Sequence, residues 1–403
     1  MLNKKSPKVA GDLIYTVMAT VVMNVVLQFI VYPLITKYYG ESVTGNILYF
    51  IGVIYVVPQA LGTAVSNAHL VLRKNTDIDN SDFTGIIGIS SALSAIICGI
   101  IGFIDNKDPV FALAFGLFSV IYLLRAYAQV DFRLSLKFKE YFIYYCIISV
   151  GYVIGLGLYF LTDIWLLIFI TGEAMALAYT FFKGNIFKKT AKHNLKGVLY
   201  KNFTMLAFST LIRDLVLQFD KVMLKASVGE AAVAQYHIVS LIAKTMQMLI
   251  QPINTLILSY LTVKGAVLSK KNLLRFSVAA LGFGVIFYGL SIIGTPIYLK
   301  LFYPDMYSTV IGYNFIVNLG LILGFIASLF MALILSQGKT ALHTAIEISF
   351  GAVYAVAAYF FINSDGIWGL AYVTLAVNAV KLIFSMGCLF AQYKKQSAIK
   401  GEQ

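Results

Sequence analysis

Long apolar segments recur along the whole chain, and they constrain its fold more than any other feature. Twelve such segments between Leu13 and Gln392 are each long enough to cross a hydrocarbon core of about 30 Å, which takes about 20 helical residues. Of the 403 residues, 60% are hydrophobic and 12% are charged, whereas soluble domains carry about 25% charged residues. The sequence therefore predicts an all-α integral membrane protein and excludes a water-soluble globule.

Short connections link the predicted helices. The longest, residues 183–201, has 19 residues, so there is no room for a separate extramembrane domain. This argues against an enzyme with a folded catalytic domain in water, and we predict a protein that is not an enzyme. The predicted helices cover residues 10–36, 44–66, 83–104, 109–130, 141–162, 164–182, 202–225, 231–262, 275–300, 308–335, 341–362 and 367–391.

Basic residues are distributed unequally between the two predicted membrane faces. The net charge of +13 arises from 31 Lys and Arg against 18 Asp and Glu. With the N-terminus in the cytoplasm, 23 basic residues fall on the inner side, five fall outside, and Arg213, Lys244 and Lys381 fall inside helices. Because cytoplasmic loops of membrane proteins are enriched in Lys and Arg, we expect both termini in the cytoplasm and no nucleic-acid partner.

The basic loop at 183–201 divides the chain into two predicted six-helix bundles, residues 1–190 and 191–403. Six crossings return the second bundle to the orientation of the first, which predicts a parallel repeat around a central cavity. Val26-Leu27-Gln28-Phe29 recurs as Val216-Leu217-Gln218-Phe219, and Gly40-Glu41 recurs as Gly229-Glu230. Two parallel halves with a substrate site between them near the membrane midplane are a recurrent transporter plan.

Polar residues recur at helical spacing within four predicted helices. Side chains three and four positions apart share one helix face, so these residues form stripes that are not expected to face lipid. The stripes either hold helices together by hydrogen bonds or line a water-filled cavity. We predict that the stripe on the eighth predicted helix lines a cavity; its residues are His237, Ser240, Lys244, Gln247, Gln251 and Asn254. Three other predicted helices are expected to present polar residues to the same cavity. These residues are Asn24 and Gln28 on the first helix, Asp214, Gln218 and Lys221 on the seventh, and Lys381 on the twelfth.

Five ionisable residues lie near the middle of predicted helices, Glu173, Arg213, Asp214, Lys244 and Lys381, and Glu347 lies closer to the inner face. At a helix centre each such group costs about 2.5–3.5 kcal/mol on insertion scales. In one interpretation Arg213 and Lys244 bind an anionic headgroup, and Asp214, Glu173 or Glu347 couples transport to a proton or sodium gradient. In the other, the acids and bases are structural ion pairs. Arg125 lies near a helix end and is expected to reach the interface, and His237 and His343 are expected to be hydrated.

Other motifs carry less information about chemistry. Pro58 and Pro252 interrupt predicted helices and are candidate hinges, while the pairs Gly151/Gly155 and Gly320/Gly324 have the spacing of close helix contacts. Gly338-Lys339-Thr340 lacks the first glycine of a phosphate-binding loop, and no zinc spacing, nucleophile elbow or dinucleotide fingerprint is present. We therefore expect no cofactor and no metal.

Three stretches resemble one family of transporters. Gln218-Phe219-Asp220-Lys221 through Gly229 to Tyr236 looks like the seventh and eighth helices of the Wzx-type polysaccharide transporters of the MOP superfamily. Residues 33–45, with a Tyr-Tyr-Gly after the first helix, and residues 301–339, with a Gly-Lys turn, are similar to the same family. The similarity covers nearly the whole chain in helix order.

The resemblance implies a MOP/MATE-like fold and a flippase for undecaprenyl-diphosphate-linked oligosaccharides, which serves O-antigen, capsule or other surface polysaccharide in a bacterial cytoplasmic membrane. In that family helices 1, 2, 7 and 8 line a cationic cavity, which points to Arg213 and Lys244. Asn24 and Gln28 stand where lipid II flippases carry charge, which argues against a lipid II role. The implied partners are the lipid-linked substrate, a coupling ion, a polysaccharide polymerase and other assembly proteins. The alternatives are a MATE-type drug or metabolite exporter and a membrane-embedded polysaccharide polymerase or ligase.

Overall fold

The computed structural model describes residues 6–75, 79–186, 188, 196–248, 270–337 and 340–401, and all regular structure in these ranges is helical. Short π or 3₁₀ segments at Leu27–Val31, Asn80–Phe83, Pro304–Met306 and Ile311–Tyr313 join some of the helices. The α-helices are α1 Ser6–Val26, α2 Tyr32–Asn75, α3 Thr84–Asn106, α4 Pro109–Ala128, α5 Val130–Leu134, α6 Phe138–Thr162, α7 Leu166–Lys183, α8 Lys196–Ser227, α9 Glu230–Met248, α10 Lys270–Phe302, α11 Tyr307–Val310, α12 Asn314–Ser336 and α13 Thr340–Gly401.

Eight helical spans in the described residues are long and apolar enough to cross a membrane, so the chain is a multi-pass membrane protein. Two of these spans, Ile14–Leu70 and Leu342–Ala391, have 57 and 50 residues and are interrupted by the non-helical glycines Gly40 and Gly366. Each is more than twice the length of about 20 residues that one crossing needs. The all-α membrane fold is confirmed, whereas the count of twelve crossings stays a prediction.

The chain forms two compact units. Unit 1 comprises Met1–Tyr38 and Ile47–Gln218, and unit 2 comprises Tyr39–Asn46 and Phe219–Gln403. The first part of α8 belongs to unit 1 because it packs on α2, where the Thr210 hydroxyl donates to the Ala60 carbonyl oxygen at 3.1 Å. The units divide within α8, and the two predicted six-helix bundles, residues 1–190 and 191–403, stay a prediction.

In unit 1, α6 packs against α1 and α7, and α4 packs against α3 and α7. Glycines permit the closest of these approaches, since a Cβ on Gly151 would lie 2.5 Å from the Gly172 Cα, and one on Gly155 would lie 2.5 Å from the Leu167 carbonyl oxygen. The helix contact predicted at Gly151/Gly155 is therefore confirmed. This tight packing fixes the facing side chains of α6 and α7.

In unit 2, α12 is the central helix and contacts α9, α10 and α13. A buried apolar cluster that includes Phe325, Phe330 and Ile334 joins it to α10 and α13. Gly320 lies against the Leu375 backbone, where a Cβ would be 2.9 Å from the amide nitrogen, which confirms the predicted contact at Gly320/Gly324. Polar side chains within this unit therefore lie among closely packed helices.

Candidate functional site

A cluster of charged side chains lies within unit 2 where α8 meets α9. Lys244 Nζ on α9 donates to Asp220 Oδ2 on α8 at 2.5 Å, and the Asp220 side chain is 8% exposed. Lys221, the next residue of α8, is also 8% exposed and interacts electrostatically with both Asp220 and Lys244. One carboxylate, on Asp220, therefore faces two ammonium groups, on Lys221 and Lys244.

Helical spacing places these groups together. His237, Ser240 and Lys244 follow one another at intervals of three and four residues along α9, so they share a face. His237 and Ser240 are buried, and the Ser240 hydroxyl donates to the His237 carbonyl oxygen at 3.1 Å. The polar stripe predicted here therefore faces protein along its first three positions. His237 was expected to be hydrated, which is wrong, because α9 is packed on this face.

Aromatic side chains border the same cluster. The Tyr236 ring lies 5.2 Å from Lys244 Nζ, a cation–π distance, and Tyr236 and Tyr354 both interact electrostatically with Asp220. The rings of Phe219 and Tyr354 pack with centroids 5.8 Å apart. The cluster thus combines two ammonium groups with three aromatic rings contributed by α8, α9 and α13.

Two further predicted residues lie on the part of α8 that belongs to unit 1. Arg213 Nε donates to Asp214 Oδ1 at 2.8 Å, with the Arg213 side chain 57% exposed and that of Asp214 9% exposed. The other Asp214 oxygen, Oδ2, and Gln218 Oε1 are buried and have no hydrogen-bond partner among the described residues. Both are acceptor oxygens one helical turn apart.

Glu173 belongs to a fully bonded network in unit 1. Arg125 donates to both carboxylate oxygens of Glu173, and Tyr152 Oη donates to Glu173 Oε1 at 2.6 Å. Tyr144 Oη donates to the Arg125 carbonyl oxygen at 2.8 Å, and the Arg125 guanidinium lies 4.4 Å from the Tyr122 ring centroid. Arg125 is 3% exposed, so its expected position at the interface is wrong: the Glu173 carboxylate compensates its burial.

The last two predicted ionisable residues form a partly exposed pair. Lys381 Nζ donates to Glu347 Oε2 at 2.8 Å, and the two side chains are 16% and 43% exposed. Lys221, on the predicted polar stripe with Asp214 and Gln218, is buried. Each of the three predicted coupling acids, Glu173, Glu347 and Asp214, accepts a hydrogen bond from a basic residue. Among these three acids in the described chain, only Asp214 has a buried side-chain oxygen with no hydrogen-bond partner.

The other predicted site residues fall in several environments. Asn24 Nδ2 donates to the Thr20 carbonyl oxygen at 2.9 Å, and Gln28 is half-buried in the π-helical turn Leu27–Val31. Such turns recur at functional sites. Pro58 is buried in a continuous stretch of α2, Gln247 lies in the last turn of α9, and Gln251 and Pro252 lie outside the described residues.

Asp220 was not among the predicted site residues, although its partner Lys244 was. The available signal was its position beside Lys221 in the sequence, but the pairing with α9 depends on how the two helices pack. Among the described residues, no group of three or more His, Cys, Asp or Glu side chains is placed to hold a metal ion. The contacts that the structure gives this cluster are an ion pair and a cation–π contact.

Comparison with known proteins gave matches at the level of structure alone. No protein-family model matches the chain, and no match was found among curated proteins. A multidrug resistance MATE family transporter of the MOP superfamily, in an inward-facing conformation, aligns with a TM-score of 0.71 and 13% identity over 94% of this chain and 95% of its own. The lipid II flippase MurJ, in an inward closed conformation, aligns with a TM-score of 0.70 and 16% identity over 94% and 87%.

A third solved structure is described as a MOP superfamily transporter from Pyrococcus furiosus whose binding pocket has reversed polarity, which suggests a different function. It aligns with a TM-score of 0.59 and 11% identity over 94% of each chain. At such identities the likeness shows the fold alone. The chain therefore has the fold of the MOP-superfamily transporters, over nearly its whole length, and the Wzx-type resemblance within that superfamily stays a prediction.

Proposed function

We propose that this protein is a flippase that moves undecaprenyl-diphosphate-linked oligosaccharides across a bacterial cytoplasmic membrane. The observation that carries the proposal is that two ammonium groups, on Lys221 and Lys244, face one carboxylate, on Asp220. This cluster lies inside a helical unit of a protein with a transporter fold. Buried charges in a membrane protein are costly, and they mark substrate or ion pathways. A diphosphate headgroup is the part of the proposed substrate that such a cluster recognises.

The geometry offers a simple exchange of partners. Lys244 is 28% exposed and bonds Asp220, so it is the member of the cluster that is both charged and accessible. A diphosphate replaces the Asp220 carboxylate as its partner without leaving either ammonium group uncompensated. Hydrogen bonds between ionised partners are the strong class, which suits transient capture of an anionic headgroup.

The aromatic rings beside the cluster support a sugar-bearing substrate. Tyr236, Tyr354 and Phe219 are contributed by three helices of unit 2, and the last two are half-buried. Aromatic rings offer large apolar surfaces, and tyrosine adds a hydroxyl for hydrogen bonding. This combination suits a headgroup followed by sugar rings.

The alternatives fit the same fold but not the same charges. A MATE-type exporter of cationic drugs is favoured by the multidrug transporter among the structural neighbours. Two ammonium groups against one carboxylate oppose a cationic cargo at this cluster, however. A polysaccharide polymerase or ligase needs catalytic groups on a sizeable external loop, and the described connections between helices are short.

Within this proposal, Asp214 is the coupling residue among the three predicted acids. Glu173 has both oxygens bonded by Arg125 and Tyr152, and Glu347 is exposed. Asp214 Oδ2 and Gln218 Oε1 are both buried, and neither atom has a hydrogen-bond partner in the described residues. Two buried acceptor oxygens one turn apart suit a proton or a sodium ion, since hard cations take oxygen ligands.

The first experiment is deletion of the gene in its host, followed by extraction of lipid-linked oligosaccharide and assay of surface polysaccharide. We expect surface polymer to be lost while lipid-linked units accumulate on the inner leaflet. Unchanged polymer with altered tolerance to tetraphenylphosphonium or ethidium would support the exporter instead. If surface polymer is lost while lipid-linked oligosaccharide is found on the outer leaflet, the result would support the polymerase or ligase alternative.

The second experiment complements the deletion with Lys244→Met, using Lys300→Met as a matched control because Lys300 is an exposed lysine in the same unit. We expect the first variant to lower surface polymer at least tenfold and the control to have no effect. The double variant Asp220→Asn/Lys244→Met removes the unpaired carboxylate, so recovery of transport in it would show that Lys244 serves only to neutralise Asp220. Asp214→Asn is expected to abolish stimulation by a proton or sodium gradient while undecaprenyl diphosphate still binds.

A further inference from the structure

One bulky residue of unit 1 has an unfavourable backbone conformation at the surface. Leu136, in the turn between α5 and α6, has φ of 53° and is 66% exposed. Among the described residues two other non-glycine residues have positive φ, and both of them, Lys107 and Asp163, are polar. The left-handed region is costly for a bulky side chain, and glycine is the usual residue where a helix ends in this way. The fold therefore holds Leu136 outward against its backbone preference.

Hydrogen bonds of the turn impose this conformation. The Lys137 amide donates to the Phe132 carbonyl oxygen at 2.8 Å, and the Leu136 amide donates to the Arg133 carbonyl oxygen at 3.3 Å. This pair of bonds is the Schellman arrangement, which closes the C-terminus of a helix and places one residue in the left-handed region. A defined structure, rather than an irregular loop, therefore presents Leu136.

The end of α7 lies beside this turn. Asp131 Oδ2 accepts a hydrogen bond from the Asn185 amide, just after α7 ends, at 2.9 Å. The Phe132 and Tyr179 rings stack with centroids 5.9 Å apart. Glu140, in the first turn of α6, interacts electrostatically with Tyr179. These contacts fix α5 and the start of α6 against the last turns of α7.

An exposed apolar side chain projects from each of these two helix ends. Leu136 precedes Glu140 by four residues, and Lys183 follows Tyr179 by four. Both therefore lie about one helical turn beyond the contact between α6 and α7. Phe182, in the last turn of α7, is 81% exposed. Leu136 and Phe182 thus lie at the same end of unit 1.

Basic side chains accompany these apolar residues. With Leu136 and Phe182 they form what we call the rim patch, and they are Arg133, Lys137, Lys139 and Lys183. The three lysines are exposed, and in the part of the chain that the structure describes none of the four basic side chains forms an ion pair. The acidic residues of the same segments are Asp131 and Glu140, so basic residues are in excess.

We propose that the rim patch binds the phosphate headgroup of an anionic phospholipid in the leaflet that it faces. Apolar side chains at a membrane interface enter the boundary between headgroups and acyl chains, and Lys and Arg beside them attract anionic headgroups. Leu136 and Phe182 supply the first contact, and the four basic side chains supply the second.

Two simpler explanations account for only part of the rim patch. Enrichment of Lys and Arg in cytoplasmic loops explains basic residues at this end, but not a leucine held outward in the left-handed region. A water-soluble phosphate would use the charges and leave Leu136 and Phe182 in water. The rim patch belongs to unit 1, whereas Asp220 and Lys244 belong to unit 2, so the inference does not depend on the cargo.

Native mass spectrometry of the purified full chain, titrated with phosphatidylglycerol or phosphatidylcholine, tests the charges. We expect the wild type to prefer phosphatidylglycerol and Arg133→Gln/Lys137→Gln/Lys139→Gln to bind it at least roughly tenfold more weakly. The matched control Lys37→Gln/Lys107→Gln/Lys300→Gln removes the same charge from exposed residues and should bind like the wild type.

Three results would overturn the proposal. They are equal binding of the two lipids by the wild type, an equal loss of affinity in the two triple variants, and displacement of phosphatidylglycerol by glycerol 1-phosphate. The last would show a site for soluble phosphate rather than for a lipid.

A second experiment separates the apolar contact from the charges. Leu136→Gly relieves the left-handed conformation, so its unfolding temperature in detergent alone should equal or exceed that of the wild type. The rise in unfolding temperature on adding phosphatidylglycerol should nevertheless be at least halved, because the apolar contact is lost. Lys107→Gly is the matched control, since Lys107 has φ of 54° and is exposed outside the rim patch. A full response to the lipid in Leu136→Gly contradicts the proposal.

Discussion

The Arg125–Glu173 pair of unit 1 and the Lys244–Asp220 pair of unit 2 both place opposite charges among apolar helices, but they differ in what surrounds them. Arg125 and Glu173 are 3% and 0% exposed, and Tyr152 and Tyr144 bond the same two residues. Lys244 is 28% exposed and shares its carboxylate partner with a second ammonium group on Lys221. The first pair is fully buried, whereas the second is partly exposed and its carboxylate faces two ammonium groups.

This difference separates a structural ion pair from a candidate binding site. A buried pair with every bonding group satisfied fixes the packing of the helices that carry it. A pair that is partly exposed and unequal in charge can exchange its partner for an anion. Position within an apolar helix is common to both, so the surroundings of each charge carry the distinction.

The largest expected effect is loss of stability on breaking the fully buried pair. Glu173→Ala leaves the Arg125 guanidinium buried without its carboxylate, which costs about 3–5 kcal/mol. We expect a low yield and a lower unfolding temperature in detergent, and near-normal specific transport from whatever protein folds. If Glu173→Ala folds normally and loses transport, the network is part of the transport machinery and the contrast between the two pairs fails.

A packing change close to the same network has the next largest effect. Gly151→Ala places a methyl group 2.5 Å from the Gly172 Cα, and overpacking of this kind costs about 1–3 kcal/mol. Gly157→Ala in the same helix is the matched control, because a Cβ there meets nothing within 4 Å. Equal unfolding temperatures for the two variants would show that α6 and α7 do not depend on this close contact.

The Lys244–Asp220 pair should behave in the opposite way to Glu173→Ala. Lys244→Met should cost about 1 kcal/mol or less, because the lysine is partly hydrated and Lys221 still faces Asp220. Transport should nevertheless fall at least tenfold. The measurement is the unfolding temperature of purified protein beside surface polymer in the complemented host. Destabilisation as large as that of Glu173→Ala would remove the proposed distinction.

The smallest effect is expected at the exposed pair. Lys381→Ala and Glu347→Ala should each change the free energy of unfolding by about 0–1 kcal/mol, as is typical of surface ion pairs. A double-mutant cycle measures their coupling. Coupling well above this range, or loss of transport in either variant, would return Lys381 and Glu347 to the set of candidate site residues.

The helical membrane fold could be predicted from the sequence, because a segment of about 20 apolar residues has few other stable states. The close contacts at Gly151 and Gly320 could also be predicted, since small residues at that spacing let backbones approach. The unit boundary inside α8 could not, because it depends on the packing of Thr210 against Ala60.

The candidate site was predictable only in part. Lys244 and Asp214 lie on polar stripes that helical periodicity reveals, and both keep a place in the proposal. Asp220 was missed as a site residue because sequence spacing relates residues of one helix and says nothing of which helix lies opposite. The same limit applies to Arg125, whose burial depends on a carboxylate 48 residues away.

Sequence alone therefore determined that the chain is a multi-pass helical membrane protein with charge embedded in its helices, since apolar length and periodicity are local properties. Tertiary structure decided which charges neutralise one another. It joined Arg125 to Glu173 and Lys244 to Asp220, and it brought Glu41 to Gln235 across 194 residues of chain. The energy of a charge depends on the groups that surround it, and the packing of distant helices supplies those groups.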